Sequence, residues 1–156
     1  MAGPTPPGAN DETREHAAIA LAIELLKAGR AIQIVVGGTS MWPLVRDGER
    51  VRLDPAAAPQ VGMLAGVARD GRIVVHRIVH SSDEAIELRG DNLETSDGSL
   101  PRSGILGVVT ERWTRSGREI DHRTRLRRLA GRAVAFASPR CRWPWRLARA
   151  MAVWMR

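Results

Sequence analysis

Ser40, His76 and the carboxylates Asp91 and Asp97 are the residues of this sequence whose types suit the activation of a hydroxyl. A serine hydroxyl is a poor nucleophile until a neighbouring base takes its proton. Ser40 stands in the stretch Gly37-Gly38-Thr39-Ser40-Met41-Trp42-Pro43, directly after the apolar run Ala31-Ile32-Gln33-Ile34-Val35-Val36. That run reads as a strand, the glycines free the backbone after it, and Pro43 ends any ladder. Such a turn would hold a small hydroxyl at the end of a rigid strand, although an ordinary Gly-Thr-Ser turn has the same composition. The chain's single lysine, Lys27, lies in the first helix, outside every strand that could face the turn. Composition therefore all but removes a lysine base and leaves histidine.

In Arg72-Ile73-Val74-Val75-His76-Arg77-Ile78-Val79-His80 the two-residue period of a strand puts Val74, His76, Ile78 and His80 on one face. Arg77 falls on the other. His76 has apolar neighbours, where an imidazole tends to stay neutral and can accept a proton. A hydrogen-bonded structural histidine would satisfy the same pattern. A carboxylate accepting the second ring N–H would fix the tautomer and support the imidazolium. The loop Gly90-Asp91-Asn92-Leu93-Glu94-Thr95-Ser96-Asp97-Gly98 offers Asp91 and Asp97, and spacing alone does not choose between them.

The elements that must position these groups are mostly strands. Asp11 to Gly29 reads as a first helix, with Ala18, Ile19, Leu21, Ala22, Leu25 and Leu26 as its apolar stripe. After the Ser40 turn, strands are expected at Arg50–Leu53, Val61–Arg69, Arg72–His80, Ala85–Arg89 and Gly104–Trp113, with Asp70-Gly71 as a hairpin turn. Gly90 to Ser103 reads as one long polar loop, a length more often functional than idle. Short strands and closely spaced turns suggest a small coiled or barrel-like β-sheet domain rather than βαβ units. From about Leu126 the period becomes helical again. Leu126, Leu129, Ala130, Ala133, Phe136 and Ala137 form a stripe among arginines, and a second short basic helix is expected at Trp145–Met155.

Charge divides the chain in the same place. Of 24 basic residues, ten are arginines after Asp121, where no acidic residue occurs. The body is slightly acidic and the tail strongly basic, which argues against a body-wide nucleic-acid surface. Basic, tryptophan-rich amphipathic helices can lie at a membrane interface, bind an acidic partner, or dock on the body. One cysteine, Cys141, rules out an intramolecular disulfide and a cysteine-rich metal site. His16, His76, His80 and His122 have no recognisable metal spacing, so neither metal nor cofactor is expected. No apolar run is long enough to span a bilayer and the first residues lack a basic signal-peptide start. The expected location is cytoplasmic or peripheral to a membrane.

Gly38-Thr39-Ser40-Met41-Trp42-Pro43 with Asp47-Gly48-Glu49-Arg50-Val51 resembles the first sequence box of signal peptidase I and the LexA-like peptidases, the S24/S26 type of serine peptidase. Val75-His76-Arg77-Ile78-Val79 resembles the second box, in the form of archaeal and endoplasmic-reticulum signal peptidases, where histidine replaces lysine. Gly90-Asp91-Asn92 followed by Asp97 resembles the third. The boxes keep the family's order, over roughly residues 31 to 111. The resemblance implies Ser40 as nucleophile, His76 as general base, Asp97 as its orienting carboxylate and Asp91 as a supporting acid. It implies a β domain in which a substrate chain adds as a strand along the edge leading to Ser40. The position two before the nucleophile, often serine in signal peptidases, is Gly38 here. The Ser40 N–H would help hold the oxyanion, with another backbone N–H or Thr39 supplying what that serine would give.

The expected organisation is a disordered start (1–10), an N-terminal helix (11–30), a peptidase β domain (31–121) and a basic Arg/Trp-rich helical tail (122–156). The expected function is a serine endopeptidase that cleaves a pre-protein or leader-bearing peptide. The alternatives are a LexA-like self-cleaving regulator, for which Ala28-Gly29 resembles the cleaved dipeptide, and a non-catalytic module acting through its tail. A polypeptide substrate and a membrane surface at residues 122–156 are the expected partners; nucleic acid is not.

Overall fold

The computed structural model describes residues 9–137. The first eight residues of the expected disordered start and the expected helix at Trp145–Met155 lie outside the described residues. The elements in chain order are α1 (Ala9–Lys27), β1 (Ile32–Val35), β2 (Arg50–Asp54), β3 (Leu64–Arg69), β4 (Arg72–Ser81), β5 (Ala85–Arg89), β6 (Ser99–Pro101), β7 (Ile105–Trp113), β8 (Glu119–Asp121) and α2 (Arg125–Ala137). All strand pairs are antiparallel, in the order β1-β2-β7-β3-β4-β5-β6, with β8 also on β7. The fold is mainly β: one coiled sheet that does not close on itself, with a helix before it and a helix after it.

The sheet coils around two apolar clusters, and alternation along β4 feeds both. Ile73 and Val75 pack with Leu53, Leu64 and Val109 in the first; Val74 and Ile78 pack with Ile86, Leu88 and Val108 in the second. Each such side chain removed from water contributes about 1.5–3 kcal/mol. Bulges in the β3–β7 and β4–β5 ladders bend the sheet. The second lies between Ile78 and His80, and it leaves His80 exposed rather than in line with His76.

Several boundaries differ from those read in the sequence. Helix α1 starts at Ala9, and its inward stripe is Ile19, Ala22, Ile23 and Leu26, while Leu21 is 62% exposed. The inward set keeps i, i+3, i+4, i+7 spacing, and Leu21 lies off it. β3 starts at Leu64 rather than Val61, because Gln60 to Met63 forms a turn in which the Met63 N–H reaches the Gln60 carbonyl. The loop after Gly90 is interrupted by β6, where Leu100 pairs with Ile86 and packs on the second cluster. β8, not foreseen, is a three-residue strand that buries Ile120.

Helix α2 sits where the sheet lets it come close. The positions a Cβ would take on Gly62 and on Gly131 are already filled by the other glycine's turn of backbone, so bare backbone meets bare backbone. Gly131, Val134 and Ala135 face the sheet, and Arg89 of β5 donates to the Ala135 carbonyl at 2.9 Å. The expected apolar stripe of this helix points away from the body: Leu126, Leu129 and Phe136 are 77%, 61% and 59% exposed.

His122 lies between β8 and α2, its amide bonded to the Thr110 carbonyl and its Nε2 buried without a partner among the described residues. Burial, then the charges of Arg112, Arg77 and Arg127, push its pKa from 6.5 down to about 4. The unfolded chain therefore takes this proton before the folded one does. The stability involved is fully present above about pH 6.5 and is lost as pH falls towards 4, on the order of 3 kcal/mol. Urea midpoints measured from pH 7.5 to 4.5 are expected to fall steeply for the wild type and less so for His122→Gln. Parallel slopes would show that His122 contributes nothing.

Candidate active site

Residues from three separate elements meet at the end of β1. Strand β1 ends at Val35, and the turn that follows is held by the Val36 N–H on the Glu49 carbonyl and the Gly38 N–H on Asp47 Oδ1, at 2.8 and 3.0 Å. Gly38 takes φ 84°, a left-handed value open to glycine at little cost. The turn carries Ser40 to the wall formed by β4. There the Ser40 Oγ lies 3.0 Å from His76 Nε2, and His76 Nδ1 lies 2.5 Å from Asp97 Oδ2. The consistent proton arrangement has Nδ1–H donating to Asp97 and Nε2 accepting from the serine hydroxyl. His76 and Asp97 side chains are 6% and 7% exposed, so water competes little for these bonds.

The loop after β5 supplies the carboxylate and also braces the serine turn. The Asp97 N–H bonds the Leu88 carbonyl at 2.8 Å, which ties the loop back to β5. Arg69, at the end of β3, donates through Nη1 to Asp97 Oδ1 at 3.1 Å and through Nη2 to the Asp97 carbonyl at 3.0 Å. One carboxylate oxygen is thus held by the arginine and the other by the histidine. Gly90 lies against the serine turn: a Cβ there would stand 2.7 Å from the Ser40 carbonyl oxygen. Asn92 uses that closeness, its N–H on the Ser40 carbonyl at 2.8 Å and its Nδ2 on the Thr39 carbonyl at 3.1 Å.

Asp91 does not join His76. It accepts from Arg77 Nε and Nη2, both at 2.7 Å, in a bidentate pair that is almost fully buried. Arg77 Nη1 adds a 2.6 Å bond to the Gly62 carbonyl, beside Gly131 of α2. The two carboxylates left open by spacing are therefore divided, Asp97 to the histidine and Asp91 to the scaffold. Gly38 and Thr39 flank the serine; the Gly38 N–H is already taken by Asp47, and Thr39 is exposed. Among the described residues the Ser40 N–H has no acceptor. Sequence reasoning gave no role to Arg69 or Asn92. Asn92 stood within the Gly-Asp-Asn stretch and could have been read there; Arg69 carries no signal in the sequence beyond its place at a hairpin.

A cleft of about 710 Å³ opens at Ser40. Its walls are β1, the first residues of β4 and one face of α1, including Ala18, Ile19 and Ala22. Among the described residues β1 pairs with β2 alone, so its other edge presents unpaired backbone groups to this cleft, with Val35 66% exposed beside them. Among the described residues no group of histidine, cysteine, aspartate and glutamate side chains is arranged to hold a metal ion.

Removal of the Asp91 carboxylate leaves the Arg77 charge buried without its partner, a change that costs about 3–5 kcal/mol. Asp91→Ala is expected to lose that much in urea denaturation. The double variant Arg77→Met with Asp91→Leu, which removes both charges, is expected to recover at least half. A single-variant cost below about 1 kcal/mol would contradict the bracing role.

No curated protein matches the chain. A family model does, that described as Peptidase S24-like, over residues 2–110. The matched span contains the serine turn, β4 and the whole loop that carries Asp91 and Asp97, and the chain belongs to the Peptidase S24-like family.

Proposed function

We propose that the chain is a serine endopeptidase in which Ser40 is the nucleophile, His76 the general base and Asp97 the carboxylate that orients it. The observation that carries this reading is the continuous path Ser40 Oγ to His76 Nε2 at 3.0 Å and His76 Nδ1 to Asp97 Oδ2 at 2.5 Å. In the first step the Ser40 oxygen bonds the substrate carbonyl carbon while its proton passes to His76 Nε2. The Ser40 N–H, which has no acceptor among the described residues, is placed to bond the oxyanion, with the Thr39 hydroxyl as the second donor. Collapse breaks the C–N bond, and the proton on Nε2 goes to the leaving amine. A water then gives its proton to Nε2 as its oxygen bonds the acyl carbon; the ester to Ser40 breaks, and the proton on Nε2 returns to the Ser40 oxygen. Arg69 keeps Asp97 turned towards the ring throughout.

The substrate is an extended polypeptide, a pre-protein or leader-bearing peptide, added along the free edge of β1. The apolar residues lining the cleft suit side chains flanking such a strand. The LexA-like self-cleaving alternative is weaker. Ala28-Gly29 is tied into the end of α1 by the Ala28, Gly29 and Arg30 amides on the Glu24, Leu26 and Leu25 carbonyls, at 2.9 Å each. A scissile bond must instead lie extended across the serine.

Mass spectrometry of candidate leader-bearing peptides is expected to show one cleavage with the wild-type chain and none with Ser40→Ala. Asp97→Asn is expected to lower kcat by about 10⁴-fold. Cleavage by Ser40→Ala at the wild-type rate, with both proteins folded, overturns the assignment.

A further inference from the structure

We infer that α2 is a membrane-surface helix that seats this protein on bilayers containing anionic phospholipid. Three features converge on it. The first is its apolar face. Leu126, Leu129 and Phe136 share one side of the helix with Ala130 and Ala133, all exposed. The set spans about a third of the helix circumference, the width that an interfacial helix lays into the headgroup and acyl boundary. The inward side, through Gly131, Val134 and Ala135, is already used against the sheet, so among the described residues the outward stripe is not a packing face.

The second feature is the charge beside the stripe. Arg125, Arg128 and Arg132 line one cleft of about 630 Å³ with Gln60 and Ser81, on one flank of the helix. Among the described residues none of the three has an acidic partner. On the other flank Arg127 opens on a second cleft of about 570 Å³, which Arg46 and Arg118 also line. Guanidinium groups set on both sides of an apolar stripe match a surface that presents phosphates around a hydrocarbon layer. A nucleic acid would meet the arginines but leave Leu126, Leu129 and Phe136 in water. The third feature is continuity. Residues 138–156 add five arginines and three tryptophans without one acidic residue, so the sequence beyond α2 keeps the same chemistry. The inference does not depend on the peptidase reading.

The test is sedimentation of the full chain with vesicles of phosphatidylcholine alone and with 30% phosphatidylglycerol, a composition chosen for about one charged lipid in three. Binding is expected to be at least tenfold tighter to the charged vesicles and to weaken with added salt. Arg125→Gln/Arg128→Gln/Arg132→Gln is expected to remove at least tenfold of that affinity, and so is Leu126→Ser/Leu129→Ser/Phe136→Ser. The side chains changed are exposed, except Arg128, which is half-buried, and circular dichroism checks that both variants stay folded. Absence of vesicle binding overturns the proposal. Undiminished binding by the serine variant also overturns it, by placing the contact on the segment after α2. Binding of duplex DNA or RNA that is as tight as vesicle binding and indifferent to the serine changes would assign the arginines to nucleic acid instead.

Discussion

A buried charge must be paired, and the pairing of Arg77 with Asp91 is the constraint on which the rest of the site depends. The guanidinium reaches from the middle of β4 to the loop after β5 and, with its remaining nitrogen, to the turn on which α2 rests. Three segments distant in sequence are brought to one fork. Because Asp91 stands between Gly90 and Asn92, fixing it also fixes the two residues that press on the serine turn. The position of Ser40 is thus set from behind by an ion pair that never touches it.

Strand β4 divides its labour by parity. His76 turns one way, to Ser40 and Asp97, and Arg77 turns the other, to the scaffold. A two-residue period makes the division obligatory: a one-residue slip in register would exchange the histidine for the brace. The ladder with β3, in which Ala65 faces His76 and Leu64 faces Arg77, holds that register. Asp97 is treated in the same economical way, its two oxygens given to different partners so that the imidazole meets a carboxylate that cannot rotate.

Much of this was legible in the residue order. The strands, the Asp70-Gly71 hairpin and the inward position of His76 follow from period and turn chemistry, and Ser40 was marked by its glycines. The choice between Asp91 and Asp97 was not legible, because both lie in one polar loop and only the path of that loop over β5 separates them. Arg69 was invisible for a related reason: its partner is 28 residues away and the contact is made by a long side chain. β6 and β8 are too short for a period to show, and they exist because neighbouring strands offer open edges. The stripe on α2 was read correctly as a stripe, but periodicity gives only that such a face exists. Which side of the helix meets the body was decided by the two glycines that let backbone approach backbone.

The free edge of β1 has a consequence of its own. Backbone groups recognise any extended chain, since every residue but proline offers the same donor and acceptor. An edge of this kind therefore has no means of distinguishing a wanted strand from the released end of a cut one, from an unfolded neighbour, or from the same edge of a second copy. For a chain bound there as proposed, discrimination falls on what lines the cleft around the strand: the wall of α1, the first residues of β4, and Ser40. On the proposed reading, the helix that precedes the sheet acts as a filter, narrowing to side chains of suitable shape an opening that the hydrogen bonds alone would leave indiscriminate.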